Sequence, residues 1–227
     1  MTVIPASSSL KDCAVPNVPI GDMTTSLSTS PLGRPRTFVP EEVLGLALDT
    51  FWRQGYRATS LDDLTAIMGL SRSSFYAAFG SKQEVLLASV RAYVDGIYTS
   101  LESCSSEHTH PIEAVRAMLV IMTTPARDER GCLLVNSIAE LAPEIPELAD
   151  LAQMHIERVV ALIALMLTKA RFNASIVRSR AAALMACAFG AAIMRKAGIA
   201  ADSLAPMLAE IESLLQSPKQ KIARTRQ

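Results

Sequence analysis

Residues 70–82, LSRSSFYAAFGSK, constrain the fold of this chain more than any other segment. Met68-Gly69-Leu70-Ser71 reads as a turn, because glycine stops one helix and the serine behind it caps the next. The helix opened by Ser71 offers Arg72, Ser73 and Ser74 in its first turn and buries Phe75 and Phe79 behind them. Small polar and basic groups at the N-terminal end, held by aromatics on the far side, are the layout of the second helix of a helix-turn-helix. Such a helix is shaped to enter a major groove of DNA.

Composition agrees with an all-helical chain. Of the 227 residues 50% are apolar but only 5% aromatic, and the abundance of Ala, Leu, Met and Ile favours helices over sheets. No run of about 18 residues is both apolar and free of charge, so no membrane span is expected. The opening MTVIPASSSLKDC has no basic n-region, so no secretory signal is expected either. Cys13, Cys104, Cys132 and Cys187 are irregularly spaced, showing neither a metal pattern nor a disulfide framework. A reducing cytoplasm is the expected compartment, with no metal and no cofactor. Net charge is zero, and residues 34–82 carry six Lys/Arg against five Asp/Glu. That balance argues against nonspecific coating of nucleic acid and gives the helix-turn-helix only a weak basic footprint. Arg34, Arg36, Arg72 and Lys82 nevertheless stand where contacts would be made.

Residues 1–33 are rich in Ser, Thr and Pro and lack periodicity, so a disordered extension is expected, with Met23 an alternative start to Met1. Pro40 suits the first position of a helix and Glu41 and Glu42 its positive end. Val43, Leu44, Ala47, Leu48, Phe51 and Trp52 form its apolar stripe, and Gly55 ends it with Tyr56 packing back. Ser60 and Asp63 have the spacing of a capping box for a second helix, whose buried face is Leu61, Leu64, Ile67 and Met68. Ser81 and Glu84 repeat that spacing before a fourth helix running to about Leu101. A polar break, Ser103 to Pro111, precedes helices expected near 111–124, 131–142, 147–171, 174–197 and 202–216. The chain divides on this reading into the extension 1–33, a helix-turn-helix domain 34–82, a helical domain 83–216 for effector binding and dimerisation, and a basic disordered tail 217–227.

Residues 33–90 resemble the N-terminal domain of the tetracycline-repressor (TetR/AcrR) family. The resemblance is carried by Gly33-Arg34-Pro35-Arg36, Phe51 to Gly55-Tyr56, Thr59-Ser60-Leu61, Leu64, Gly69-Leu70-Ser71, Phe75-Tyr76, Phe79 and Lys82, and covers about a quarter of the chain. Arg130-Gly131-Cys132-Leu133-Leu134-Val135-Asn136 is similar to a stretch found in one branch of that family. The resemblance implies a homodimer that sets one recognition helix per subunit in successive major grooves of a palindromic double-stranded operator. It also implies a C-terminal domain that binds a small-molecule effector. Carried over by position, Thr59, with Ser60 beside it, Tyr76 and Lys82 would hold phosphates. Arg72, Ser73 and Ser74 would face bases, and Arg34 and Arg36 would form an arm near the minor groove. Independently, Lys82 follows a helix N-cap, where N–H groups and dipole favour phosphate, and the Arg72 fork suits guanine O6 and N7. Ser73 stands where the family usually has Gly, and Ala78 where it has His or an aromatic.

Two features beyond that domain bear on function. The small residues of 174–197 (Ala181, Ala182, Ala183, Ala186, Ala188, Gly190, Ala191, Ala192) and the apolar run Val159 to Leu167 suit either an intrachain core or a four-helix dimer interface. The resemblance favours the interface. Tyr93, Met118, Met122, Cys132, Met154 and Met185 are apolar candidates for an effector pocket. Cys132 reads as an inert buried thiol, with redox or electrophile sensing aided by Arg127 and Arg130 as the alternative. His155 reads as a surface or satisfied buried histidine, and Cys104 with His108 and His110 as a polar loop rather than a metal site. The expected function is a ligand-released repressor, with an activator also compatible. The rivals are an all-α dimeric scaffold or ligand-binding protein without sequence-specific DNA binding, and an enzyme. No nucleophile, base and orienting residue stand together to support the last.

Overall fold

The structure, a computed structural model, describes residues 40–123 and 130–216. The expectations for residues 1–33, for Arg34, Arg36 and Arg127, and for the tail 217–227 lie outside the described residues. The protein is all-α, with no strand among those residues. They divide into two compact units, one ending at Tyr93 and the other beginning at Val94.

The first unit holds α1 (Pro40–Gln54), α2 (Leu61–Met68), α3 (Arg72–Phe79) and the start of α4 (Lys82–Glu107). Local chemistry sets its joints. Gly55 has φ 84° and donates to the Phe51 carbonyl at 2.9 Å, while the Tyr56 ring returns to within 5.9 Å of the Phe51 ring. Gly69, at φ 64°, closes α2. Its N–H reaches the Ala66 carbonyl (3.2 Å) and that of Leu70 the Thr65 carbonyl (2.9 Å), the two bonds of a Schellman motif. Ser60 caps α2 reciprocally: its Oγ accepts from Asp63 N (3.0 Å), and Asp63 Oδ2 accepts from Ser60 N (2.8 Å). Ala47, Leu48, Phe51, Leu64, Phe75, Val85, Leu86 and Val90 are buried as the core of this unit.

The second unit continues α4 and adds α5 (Pro111–Thr123), α6 (Leu133–Leu141), α7 (Pro146–Lys169), α8 (Ala174–Lys196) and α9 (Ala201–Leu214). Helices α7 and α8 pack along each other and α5 packs on both, around Leu101, Met118, Ile163, Leu167 and Leu184. Helix α4 runs six residues past its expected end, and only 108–110 remain of the polar break. The serines do not stop it, because the hydroxyls of Ser105 and Ser106 donate to the Glu102 carbonyl (2.8 and 3.1 Å). Leu101 and Cys104 meanwhile continue its buried stripe. Helix α6 starts at Leu133 rather than 131, since Gly131 sits at φ 72° and Cys132 has extended backbone at the N-cap. Helix α7 ends in a Schellman turn that uses Arg171, at φ 61°, where glycine is the usual residue.

By length and composition, α7 and α8 are apolar enough to cross a membrane, a finding the charge-free criterion applied to the sequence did not give. Both carry charges within their apolar lengths, Glu157 and Arg158 in α7 and Arg178 and Arg180 in α8. Much of their apolar surface is spent on the core just described.

Candidate nucleic-acid interface

Helix α3 presents its N-terminal turn to solvent because its other side is fastened inside. Phe75 is fully buried, with the Phe79 ring 5.8 Å away and Tyr76 edge-on at the same distance. Tyr76 itself is 53% exposed, its ring supported by Phe75. Ser71 caps the helix by accepting from Ser74 N (3.1 Å), and its Oγ lies 2.9 Å from both Ser73 Oγ and Ser74 Oγ. These exposed hydroxyls form one small cluster at the positive end of the helix. Arg72 projects beside them and is bound by Asp62 of α2. Asp62 Oδ1 accepts from Nε (3.0 Å) and Nη2 (2.6 Å), and Oδ2 accepts from Nη2 (2.8 Å). Those bonds hold the guanidinium pKa above its ordinary value. Both side chains remain mostly in solvent, at 64% and 69% exposure.

Lys82, first residue of α4, is half-buried and its Nζ stands 4.1 Å from the centre of the Tyr56 ring. The aromatic face steers the ammonium by cation–π attraction. Ser81 accepts from Glu84 N (3.1 Å) at the same helix start. Asp63 lies close enough to Lys82 to feel its charge, although the main cause of its lowered carboxyl pKa is the Ser60 hydrogen bonding.

Thr59 departs from its expected role. It is fully buried; its Oγ1 donates to the Gly55 carbonyl (2.6 Å) and accepts from Gln54 Nε2 (3.1 Å). The hydroxyl pins the end of α1 to the start of α2, which leaves the side chain no face for a phosphate. Ser60 is exposed, but its hydroxyl is engaged in the capping box and lies 2.7 Å from Asp63 Oδ2. Sequence reasoning missed Asp62 and Tyr56, the partners of Arg72 and Lys82. The only signal was opposite charge across the turn, ten residues apart, and an aromatic next to a helix-ending glycine.

The six effector-pocket candidates stand in different surroundings. Met118 and Met185 are buried in the core of the second unit, Met122 packs against it half-buried, and Cys132 is half-buried at the α6 N-cap. Met154 is 57% exposed on α7. Tyr93, buried in the first unit, has Trp52 edge-on at 5.0 Å. His155 is neither at the surface nor satisfied: it is buried, and its Nδ1 has no hydrogen-bond partner among the described residues. Burial, then the Arg158 charge, lowers its pKa to about 4, against a smaller opposing effect of Asp95. His108 Nδ1 lies 2.9 Å from the Cys104 carbonyl oxygen and 3.9 Å from its Sγ.

Comparison with known proteins places this geometry. Residues 43–89 match the family described as bacterial regulatory proteins, tetR family. The uncharacterized HTH-type transcriptional regulator YezE of Bacillus subtilis is 31% identical over 121 residues, covering 52% of this chain and 62% of that protein. The HTH-type transcriptional repressor ComR of Escherichia coli is 29% identical over 126 residues, covering 52% and 58%. The chain thus spans about three fifths of the length of these two relatives. Among solved structures, the TetR family regulator CifR, complexed with 26-base-pair double-strand operator DNA, matches with a TM-score of 0.68 and 25% identity, covering 80% of this chain and 98% of that one. Reduced NemR of E. coli shares the fold, with a TM-score of 0.70 and 20% identity over 79% and 98%. The matched segment contains α2, the Gly69 turn and α3, so the helix-turn-helix region of this chain is similar to that of the tetR family of bacterial regulatory proteins.

Proposed function

We propose that this protein is a ligand-responsive repressor that holds a palindromic double-stranded operator as a homodimer and releases it when a small effector binds the second unit. The observation that carries the reading is the α3 N-terminal turn. Arg72, Ser73 and Ser74 stand exposed on a helix fastened by buried Phe75, flanked by Tyr76 and by a Lys82 steered by Tyr56. In this reading Tyr76 and Lys82 take phosphates, the α3 turn meets base edges, and Ser60 and Thr59 shape the entry of α2. The cell interior follows from the same reading, as DNA is there. Helices α7 and α8 support the homodimer: α7 exposes Met154, Ala161 and Leu165, and α8 exposes Ala182, Ala186 and Ile193. Each set recurs at helical spacing along one face, and small residues let helices approach closely. Release follows from a two-state equilibrium that the effector biases, changing the separation of the two reading heads.

The test is selection of binding sites from random duplex DNA by the purified protein. An enriched palindrome with half-sites about one helical turn apart is the expected result. A folded dimer that enriches nothing refutes operator reading and moves the all-α scaffold ahead, a reading that the near-neutral charge of residues 34–82 favours.

A further inference from the structure

The cation best placed to read a base is the one that α2 holds by a carboxylate. Asp62 is the second residue of α2 and Arg72 the first of α3, so the turn between the helices sets their separation. Asp62 takes Nε and Nη2 of the guanidinium, and the two Nη1 N–H groups are not used by this carboxylate. An exposed helical Arg otherwise sweeps a wide arc, and near DNA it settles most readily on phosphate, where the charge is. Here the arc is closed by three contacts, and a full negative charge sits beside the guanidinium. A phosphate approaching Arg72 is repelled by Asp62. A guanine edge, whose O6 and N7 carry only partial charge, is repelled far less.

We propose that Asp62 is a specificity-determining residue, one that positions the Arg72 guanidinium for a base edge and keeps it off the phosphate backbone. This rests on the DNA-reading function proposed above. Asp62 acts through Arg72 and is a positioning residue. It lowers total affinity, since it adds negative charge to the face presented to DNA, and raises discrimination.

The experiment uses the full chain, the palindrome enriched by the wild type, and versions of that palindrome changed at one base pair. Comparison of wild type with Arg72→Ala identifies the base pair that Arg72 reads. Asp62→Asn, nearly isosteric and uncharged, is then measured alone and combined with Arg72→Ala. For Asp62→Asn the expectation is tighter binding to random DNA and a slope of log affinity against log salt steeper by about 0.9, one added phosphate contact. At the Arg72 base pair, discrimination falls at least about threefold, out of the roughly 5- to 150-fold that a good contact supplies. In the Arg72→Ala background the Asn substitution changes discrimination no further. The exposed pair contributes little to folding, so the melting temperature stays within about 3 °C and a loss of structure is seen directly.

Tighter binding with unchanged base preference makes Asp62 a mere brake and overturns the proposal. So does an Arg72→Ala variant that keeps wild-type preference. Both outcomes leave operator reading intact. If the wild type enriches no sequence, operator reading fails and the role of Asp62 fails with it.

Discussion

Replacing His155 by Leu should remove a defined part of the acid sensitivity of this fold. The imidazole is buried on α7, its Nδ1 has no hydrogen-bond partner among the described residues, and Arg158 and Asp95 are the charged groups that act on it. Arg158 is itself held by Asp95 at 2.8 Å and lies over the Tyr98 ring at 4.0 Å, which keeps its charge near the histidine. The folded pKa of about 4 lies below the 6.5 of a solvated imidazole. Above pH 6.5 both states are neutral and the full stability is present. As pH falls from 6.5 to about 4, the unfolded chain takes up a proton that the folded one refuses, and stability is lost across that window. At about 1.4 kcal/mol per pH unit the loss is about 3 kcal/mol. Urea unfolding followed by circular dichroism at pH 7, 5.5 and 4, at one protein concentration, gives the profile for both proteins. Carboxylates titrate in both, so the difference between the profiles isolates the histidine. His155→Leu should lose about 3 kcal/mol less than wild type between pH 7 and 4. Profiles that run parallel to within about 1 kcal/mol would refute the reasoning, since they require a folded state that accepts the proton readily.

Four further outcomes are expected. Arg72→Ala should cost about 1–3 kcal/mol of operator binding and relax one base position, whereas Lys82→Ala should weaken all DNA alike and lower the salt slope by about 1, both read by fluorescence anisotropy. Thr59→Val leaves the Gly55 carbonyl and Gln54 Nε2 without that hydroxyl and should cost about 1–3 kcal/mol in urea unfolding, with Thr59→Ser recovering most of it. Arg171→Gly relieves a left-handed residue and should stabilise by roughly 0.5–1 kcal/mol, so a lowered melting temperature would contradict the turn described here. Leu165→Glu on the exposed face of α7 should turn a dimer into a monomer in light scattering while helix content is retained; a dimer that survives it would place the interface elsewhere.

What the sequence determined by itself was the punctuation and content of the helices. Capping by Ser60 and Asp63, the stops at Gly55 and Gly69, and the burial of Phe75 arise from contacts within a few residues or from the 3.6-residue period, both of which a linear text displays. The end of α4 was misread because Ser105 and Ser106 resemble a breaker, although each satisfies its hydroxyl on the preceding turn. Tertiary structure alone decided what the polar side chains do. It turned Thr59 inward, set Asp62 on Arg72 and Tyr56 under Lys82, buried His155, and brought Arg180 onto the Leu214 and Gln216 carbonyls that end α9, at 2.8 and 3.0 Å. Such pairings depend on the direction in which one helix crosses another. That direction comes from the packing of whole faces, so residue type and spacing along the chain carry no record of it.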